Sequence, residues 1–434
     1  MGTETEGKVI RPIKPSKLSR NTRAVMAVIG SILCLVSIAA GFYGAGNMAI
    51  APMAQRFGVS VADVVLFYTY EVIGIVIASL LGAKLIAKIN IHYTVVVGTV
   101  LGAAGLLLMG IGNSLPVVYL GAGLVGFGII FSGPAILQTT ISAWFYTGRA
   151  TLIGIVGMTE AVGITGMSFL AAHLKTNSVT GYSESLIISS VIVLVFGLVA
   201  GLVFMRGVPA DYGFVPVGAD ENTYNDTQNN DNEVPGISAK EAYRATYFWL
   251  FLIGMFVINI GYALLYPQIA PHTTFLGFTT IQAALLVSTA SWAKGLIKIA
   301  YGIVGDRFGL RLALCGSVSI SIICGILYVF TTNFAVLIFC VFGIGAIGGL
   351  TGSGTLVMSR MLGPKDLLKV ATIPHAANGL GGIFGPILFK VFYDGTASSY
   401  ATVGTLAVIC LAIYFGTTMF SLKKENMFEN KRAL

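Results

Sequence analysis

Apolar blocks long enough to span a hydrocarbon core recur twelve times along this chain, at 23–51, 62–84, 93–112, 115–143, 150–172, 184–206, 246–270, 279–302, 309–331, 333–359, 367–389 and 399–421. A bilayer-spanning helix needs about 20 apolar residues. Inside lipid the backbone has no water to bond, so only helices and closed barrels can cross. Barrel strands would show as alternating segments of roughly ten residues. The blocks here are longer and carry no such alternation, which predicts an all-α membrane protein of twelve transmembrane helices. Only 10% of the 434 residues are charged, against about a quarter in a soluble domain.

The net charge of +8 could suit a nucleic-acid partner, but its placement argues for topology instead. With the N-terminus inside, twenty-one of the 26 Lys and Arg fall on one side of the membrane, among them Arg20, Arg23, Arg149, Arg206, Arg307 and Lys424. Arg56, Lys175 and Lys390 fall on the other, and Lys294 and Lys298 lie within a block. That is the positive-inside bias, and it predicts both termini in the cytoplasm and no nucleic-acid partner. A polar, acidic stretch without hydrophobic periodicity (ADENTYNDTQNNDNEVPG) lies within 207–245 and reads as a flexible cytoplasmic linker. The expected organisation is a basic tail at 1–22, a six-helix bundle at 23–206, the linker at 207–245, a second six-helix bundle at 246–421 and a tail at 422–434. Cys34, Cys315, Cys324, Cys340 and Cys410 all sit in apolar blocks with no CxxC pair. They read as small buried side chains, and neither a metal nor a cofactor is expected.

The two halves share a pattern. DRFGLR at 306–311 follows AKINIH at 87–92 by 219 residues, and SGTLVM at 353–358 follows SGPAIL at 132–137 by 221. A common offset near 220 residues predicts a parallel two-fold repeat, so the bundles should be pseudo-symmetric. The loop from Gly302 through Asp306, Arg307 and Gly309 to Arg311 resembles the signature G-x-x-x-D-R/K-x-G-R/K-R/K of the major facilitator superfamily, with Leu310 at one basic position. The corresponding first-half loop has Ala87 and Asn90 where the signature has Asp and Gly. Within that superfamily the chain resembles the oxalate:formate antiporter and monocarboxylate transporter group. The resemblance is carried by GFYGAGNMAIAPMAQRFGVS at 41–60, Trp144-Phe145 with Arg149, and KEAYRATYFWLF at 240–251. It implies alternating access between two bundles. It also implies that Lys298 stands where the group typically has a substrate-binding Arg, Lys294 where an acid or amide often partners it, and Asn378 where the oxalate antiporter group has a substrate-binding Lys.

Few ionisable groups fall at membrane depth: Glu71, Glu160, Lys294, Lys298 and His375. Each charge at the bilayer centre costs about 2.5–3.5 kcal/mol on insertion scales, so such groups face the bundle interior or water. Lys294 and Lys298 are one turn apart, so their ammonium groups can converge on one spot, repel, and be relieved by an anion. The bland alternative is that Lys298, eight residues before Asp306, snorkels to the surface. In the superfamily's fold, helix five packs on helix eight and helix two on helix eleven, which pairs Glu160 with Lys294 and Glu71 with His375. The latter histidine reads as mid-helix. Such pairs could gate the halves or couple transport to protons, or they could be structural hydrogen bonds. Tyr43, Asn47, Gln138, Tyr262 and Tyr266 are candidate cavity hydrogen-bond donors.

The function read from these residues is secondary active transport of a small organic anion, a mono- or dicarboxylate, as an H⁺ symporter or anion exchanger. The expected setting is the plasma (inner) membrane, with a single chain sufficing. Drug efflux is the alternative, and would need an unpaired acid in the cavity. A receptor or intramembrane enzyme is the remote one: no nucleophile–base set or HExxH motif occurs.

Overall fold

The computed structural model describes residues 17–86, 90–177, 181–219, 237–362, 370 and 372–423. They form twelve principal helices. The first half contains α1 (Arg20–Phe57), α2 (Val61–Leu80), α3 (Ile91–Ile111), α4 (Leu115–Trp144), α5 (Arg149–Asn177) and α6 (Gly181–Phe204). The second contains α7 (Thr246–Phe275), α8 (Thr280–Phe308), α9 (Leu310–Phe330), α10 (Phe334–Ser353), α11 (Thr372–Phe392) and α12 (Ala397–Ser421). All but α11 are long and apolar enough to cross a bilayer by length and composition. In α11 the apolar run is interrupted by Pro374, His375, Asn378 and Lys390. The chain is a membrane protein of two pseudo-symmetric six-helix bundles, and no sheet occurs among the described residues.

The repeat is visible in the helix bounds. α3 and α9 are each 21 residues long and begin 219 residues apart. The sequence match at 132–137 and 353–358 falls where both partner helices break. α4 is interrupted at Gly133, and α10 passes through a 3-10 turn at Thr351–Ser353 before continuing as Gly354–Leu362. Local chemistry sets the other ends. Ser60 and Thr279 close capping boxes with Asp63 and Gln282, each satisfying orphan amides of a first turn. Between α8 and α9 the backbone turns at Gly309 with φ +94°, a region that side chains with a Cβ rarely enter. Close helix approach elsewhere needs the missing Cβ: Gly126 of α4 lies against the Glu71 carbonyl of α2, and Gly345 of α10 against the Ala290 carbonyl of α8.

The first part of the stretch 207–245 is packed. The Trp144 indole donates to the Gly207 carbonyl (3.2 Å), Val217 and Trp144 share a backbone bond of 2.8 Å, and the Arg23 guanidinium lies 3.8 Å from the centre of the Tyr212 ring. Residues 207–219 thus strap the start of α1 to the end of α4. Near the other end of the stretch, Ile237 bonds to the Leu362 carbonyl (2.8 Å) and Ser238 caps a short helix, Ala239–Ala242. Residues 220–236 lie outside the described residues.

The face carrying Ser19, Arg149 and Leu422 is called the basic face here. Bonds between the halves gather at mid-depth and toward the opposite face. There Asn47 donates to the Tyr266 carbonyl (3.3 Å), Thr69 to the Ile383 carbonyl (3.0 Å), and Thr280 to the Ala172 carbonyl (3.4 Å). Lys390 pairs with Asp63 at 2.9 Å, the two side chains 50% and 26% exposed. Toward the basic face α5 is open: a Cβ at Gly154 or Gly157 would meet nothing within 4 Å. The Lys390–Asp63 pair must break if the opposite face is to open. Solvent-exposed pairs are worth about 0.2–1 kcal/mol, so Lys390→Ala should shift the balance of states severalfold. In a background without native cysteines, labelling of Thr69→Cys from the opposite face should accelerate by that factor. An unchanged rate would show that the pair holds nothing shut.

Candidate functional site

The centre of the molecule is built on α5 and α8. The Lys294 Nζ of α8 reaches the Glu160 Oε1 of α5 at 2.8 Å, with the two side chains 22% and 12% exposed. The pairing implied by the resemblance is therefore present, and it joins the two halves. The approach is close because Gly295 sits against Met158, where a Cβ would come within 3.2 Å of the Met158 side chain. One turn further along α8 lies Lys298, half-buried, its stem running past Gly352 of α10. Among the described residues it has no carboxylate partner. Lys294, Lys298, Glu160, Ser291 and Gly157 line a recess between the halves. Ser291 was missed in the sequence, although its place three residues before Lys294 puts it on the same helical face.

Glu71 is 2% exposed and accepts the Tyr43 hydroxyl at 2.7 Å. Tyr43 belongs to a π-helical turn, Ala40–Gly46, within α1. Its ring also lies under the Lys294 ammonium, 5.4 Å from the nitrogen to the ring centre, within range of a cation–π contact. The expected partnership of Glu71 with His375 is not formed, and vertical register is the reason. α2 and α11 do pack together, but Thr69 bonds to Ile383 and Val72 touches Gly382. His375 is seven residues nearer the basic face than Gly382, about 10 Å at the helical rise. It is exposed, and residues 363–369 and 371, which come just before it, lie outside the described residues.

The tyrosines form a plug on the opposite-face side of the ion pair. Tyr43 stacks on Tyr68 (6.3 Å) and Tyr262 on Tyr266 (5.2 Å), while Tyr43 meets Tyr266 edge-on across the halves (6.5 Å). Asn47 is fully buried. Its Nδ2 serves the Tyr266 carbonyl and the Tyr68 hydroxyl (3.4 Å), and its Oδ1 has no partner. Asn378 is tied into the second bundle: its Nδ2 donates to the Thr351 carbonyl (2.9 Å), and its own carbonyl accepts from Asn259 (2.7 Å). Gln138 is exposed, five residues past the break in α4 at Gly133. At the junction of α8 and α9, Arg307 is exposed and Arg311 half-buried; Gly302 and Asp306 are described as helical backbone only.

Comparison with known proteins adds three findings. The family model described as Major Facilitator Superfamily matches residues 31–284 and 251–433. The oxalate:formate antiporter of Oxalobacter formigenes is 23% identical over 286 residues, covering 66% of this chain and 63% of its own length, so the match spans less than two thirds of that relative. Monocarboxylate transporter 13 of Bos taurus is 23% identical over 338 residues, 76% of this chain and 74% of the relative. Among solved structures, the nucleoside transporter NupG superposes with a TM-score of 0.68 at 13% identity, covering 92% of this chain and 100% of that one.

Proposed function

This chain belongs to the major facilitator superfamily, and from that premise we propose that it carries a small carboxylate-bearing anion across the bilayer, as an H⁺ symporter or an anion exchanger. The family makes it a transport protein and not an enzyme. The carboxylate reading is supported above all by Lys298, a half-buried cation without a carboxylate partner among the described residues, lining a recess beside the Lys294–Glu160 pair. A buried cation is costly unless paired, and an incoming carboxylate supplies the missing charge. The names of the two relatives, an oxalate:formate antiporter and a monocarboxylate transporter, point to the same ligand chemistry.

Lys298 makes the first contact in this reading. Lys294, held by Glu160, responds when the anion arrives, and Glu71 and Glu160 are the proton-linked groups. Rocking of the bundles about the central recess would expose it alternately to each side. The positive-inside bias supports both termini in the cytoplasm; in this reading the membrane is the plasma (inner) membrane, and one chain contains the whole recess. Efflux of cationic drugs would want an unpaired acid in the recess; Glu160, which lines it, is paired with Lys294, and Glu71, bonded to Tyr43, is not among its lining residues.

The test compares an acid with its amide. Thermal stability of the purified protein should rise with lactate or oxalate, and not with lactamide or oxamide. The difference expected from one charge-assisted hydrogen bond is about tenfold or more in affinity. Equal handling of acid and amide would overturn the anion reading.

A further inference from the structure

We propose that Tyr43 is the positioning residue through which the protonation state of Glu71 governs the Lys294–Glu160 pair; the inference rests on the transport reading above. Tyr43 touches both charged elements of the centre. Its hydroxyl donates to Glu71 at 2.7 Å and its ring faces the Lys294 ammonium at 5.4 Å. Lys294 is the sole member of this set from the second half; Tyr43, Glu71 and Glu160 all come from the first. The lysine is therefore held across the interface by Glu160 directly and by Glu71 through the tyrosine.

The hydroxyl of Tyr43 is already engaged, so its role differs from that of a cavity ligand waiting for substrate. With Glu71 as the carboxylate, the hydroxyl has an anionic acceptor, and the ring is locked by that bond and by its stacking on Tyr68. When a proton from cavity water forms an O–H bond on Glu71, Tyr43 keeps its own proton but loses the anionic acceptor. A hydrogen bond to a charged group is roughly twice as strong as a neutral one, so the ring is released from its fixed place beneath Lys294. The N-half grip on the lysine then reduces to Glu160 alone, and the halves part more readily.

Among the described residues Tyr43 is the side chain that hydrogen-bonds Glu71, and Lys294 is the cation that acts on it through space. α4 turns Gly123 and Gly126 toward this stretch of α2, and α11 turns Gly379 and Gly382. Tyr68 lies one turn away on α2 itself, Tyr262 and Tyr266 approach from α7, Lys294 from α8 and Glu160 from α5. His375 sits well toward the basic face.

The test uses the full chain as wild type, Tyr43→Phe, Glu71→Gln and the double variant. Phenylalanine keeps the ring and its packing and removes only the hydroxyl. Thermal midpoints of the purified proteins are recorded from acid to neutral pH. Uptake of radiolabelled lactate and oxalate is measured in proteoliposomes with and without an acid-outside gradient. Glu71→Gln should remove a pH-dependent step from the midpoint curve, Tyr43→Phe should displace that step in pH because the hydroxyl that favours the carboxylate is gone, and the double variant should show no step, as Glu71→Gln alone does. Acceleration of uptake by the gradient should fall about tenfold in each variant, the worth of one charge-assisted hydrogen bond. If Tyr43→Phe leaves the step at its wild-type pH, or Glu71→Gln removes none, or the two losses of gradient-driven uptake add, the proposal fails. Absence of uptake of both acids by the wild type, with the displacement of the step by Tyr43→Phe intact, would overturn the carboxylate reading and leave the Tyr43–Glu71 link standing.

Discussion

Replacing Lys294 by alanine should unfold the protein at a markedly lower temperature and abolish transport, while removing both partners of its ion pair should restore stability without restoring function. Glu160 is 12% exposed and bonded to Lys294 at 2.8 Å. Taking away one member of a buried pair strands the other charge, at a cost of about 3–5 kcal/mol. Replacing both by apolar groups of similar volume removes the desolvation penalty along with the attraction, and is often neutral or stabilising. Thermal unfolding of Lys294→Ala, Glu160→Leu and the combination Lys294→Met with Glu160→Leu therefore separates the pair's contribution from packing. The double variant should regain most of the midpoint lost by Lys294→Ala. Because the pair joins α5 to α8 across the halves, that variant should still fail to transport any acid. A double variant no more stable than Lys294→Ala would mean that the stranded carboxylate is not what destabilises the single one.

How much of this was legible beforehand depends on what each feature needs. The helices follow from hydropathy because every backbone group in lipid must be bonded internally. α11 shows where that signal thins, with Pro374, His375, Asn378 and Lys390 interrupting it. The repeat was readable because its matched segments mark backbone breaks, at Gly133 and at Thr351–Ser353, which constrain residue type. The Glu160–Lys294 pair followed from the resemblance, which packs helix five on helix eight, combined with the similar depth of the two residues in long helices. Glu71 and His375 defeated the same reasoning. Two helices can pack along any vertical register, and the one chosen here is fixed by Thr69 on Ile383 and by Val72 on Gly382. The Tyr43–Glu71 bond depends on a π-helical turn that changes which face of α1 Tyr43 presents, and local propensity gives no sign of it. Asn378 carried the right polarity for a ligand but uses it to tie α7 to α10 and α11.

Lys298→Ala should behave in the opposite sense to Lys294→Ala: apo stability should rise or hold, and the response to acids should vanish. Lys298 forms no salt bridge among the described residues, shares its recess with a Glu160 already paired to Lys294, and stands one helical turn from another ammonium. Removing it relieves a like-charge repulsion and the cost of holding an unpaired cation at membrane depth, about 2.5–3.5 kcal/mol on insertion scales. Structural residues lose stability when truncated; a residue kept for a ligand pays its way only when the ligand is present. Loss of the charge-assisted contact should weaken binding of lactate or oxalate about 10- to 100-fold. Lys298→Arg should retain binding, because the charge remains and a planar guanidinium can meet both carboxylate oxygens at once. Thermal shifts of the three proteins across an acid titration give both quantities in one experiment. If Lys298→Ala lowers apo stability and keeps the wild-type response to acids, the lysine is a packing element whose ammonium reaches the basic surface, and the anion must be met elsewhere in the recess.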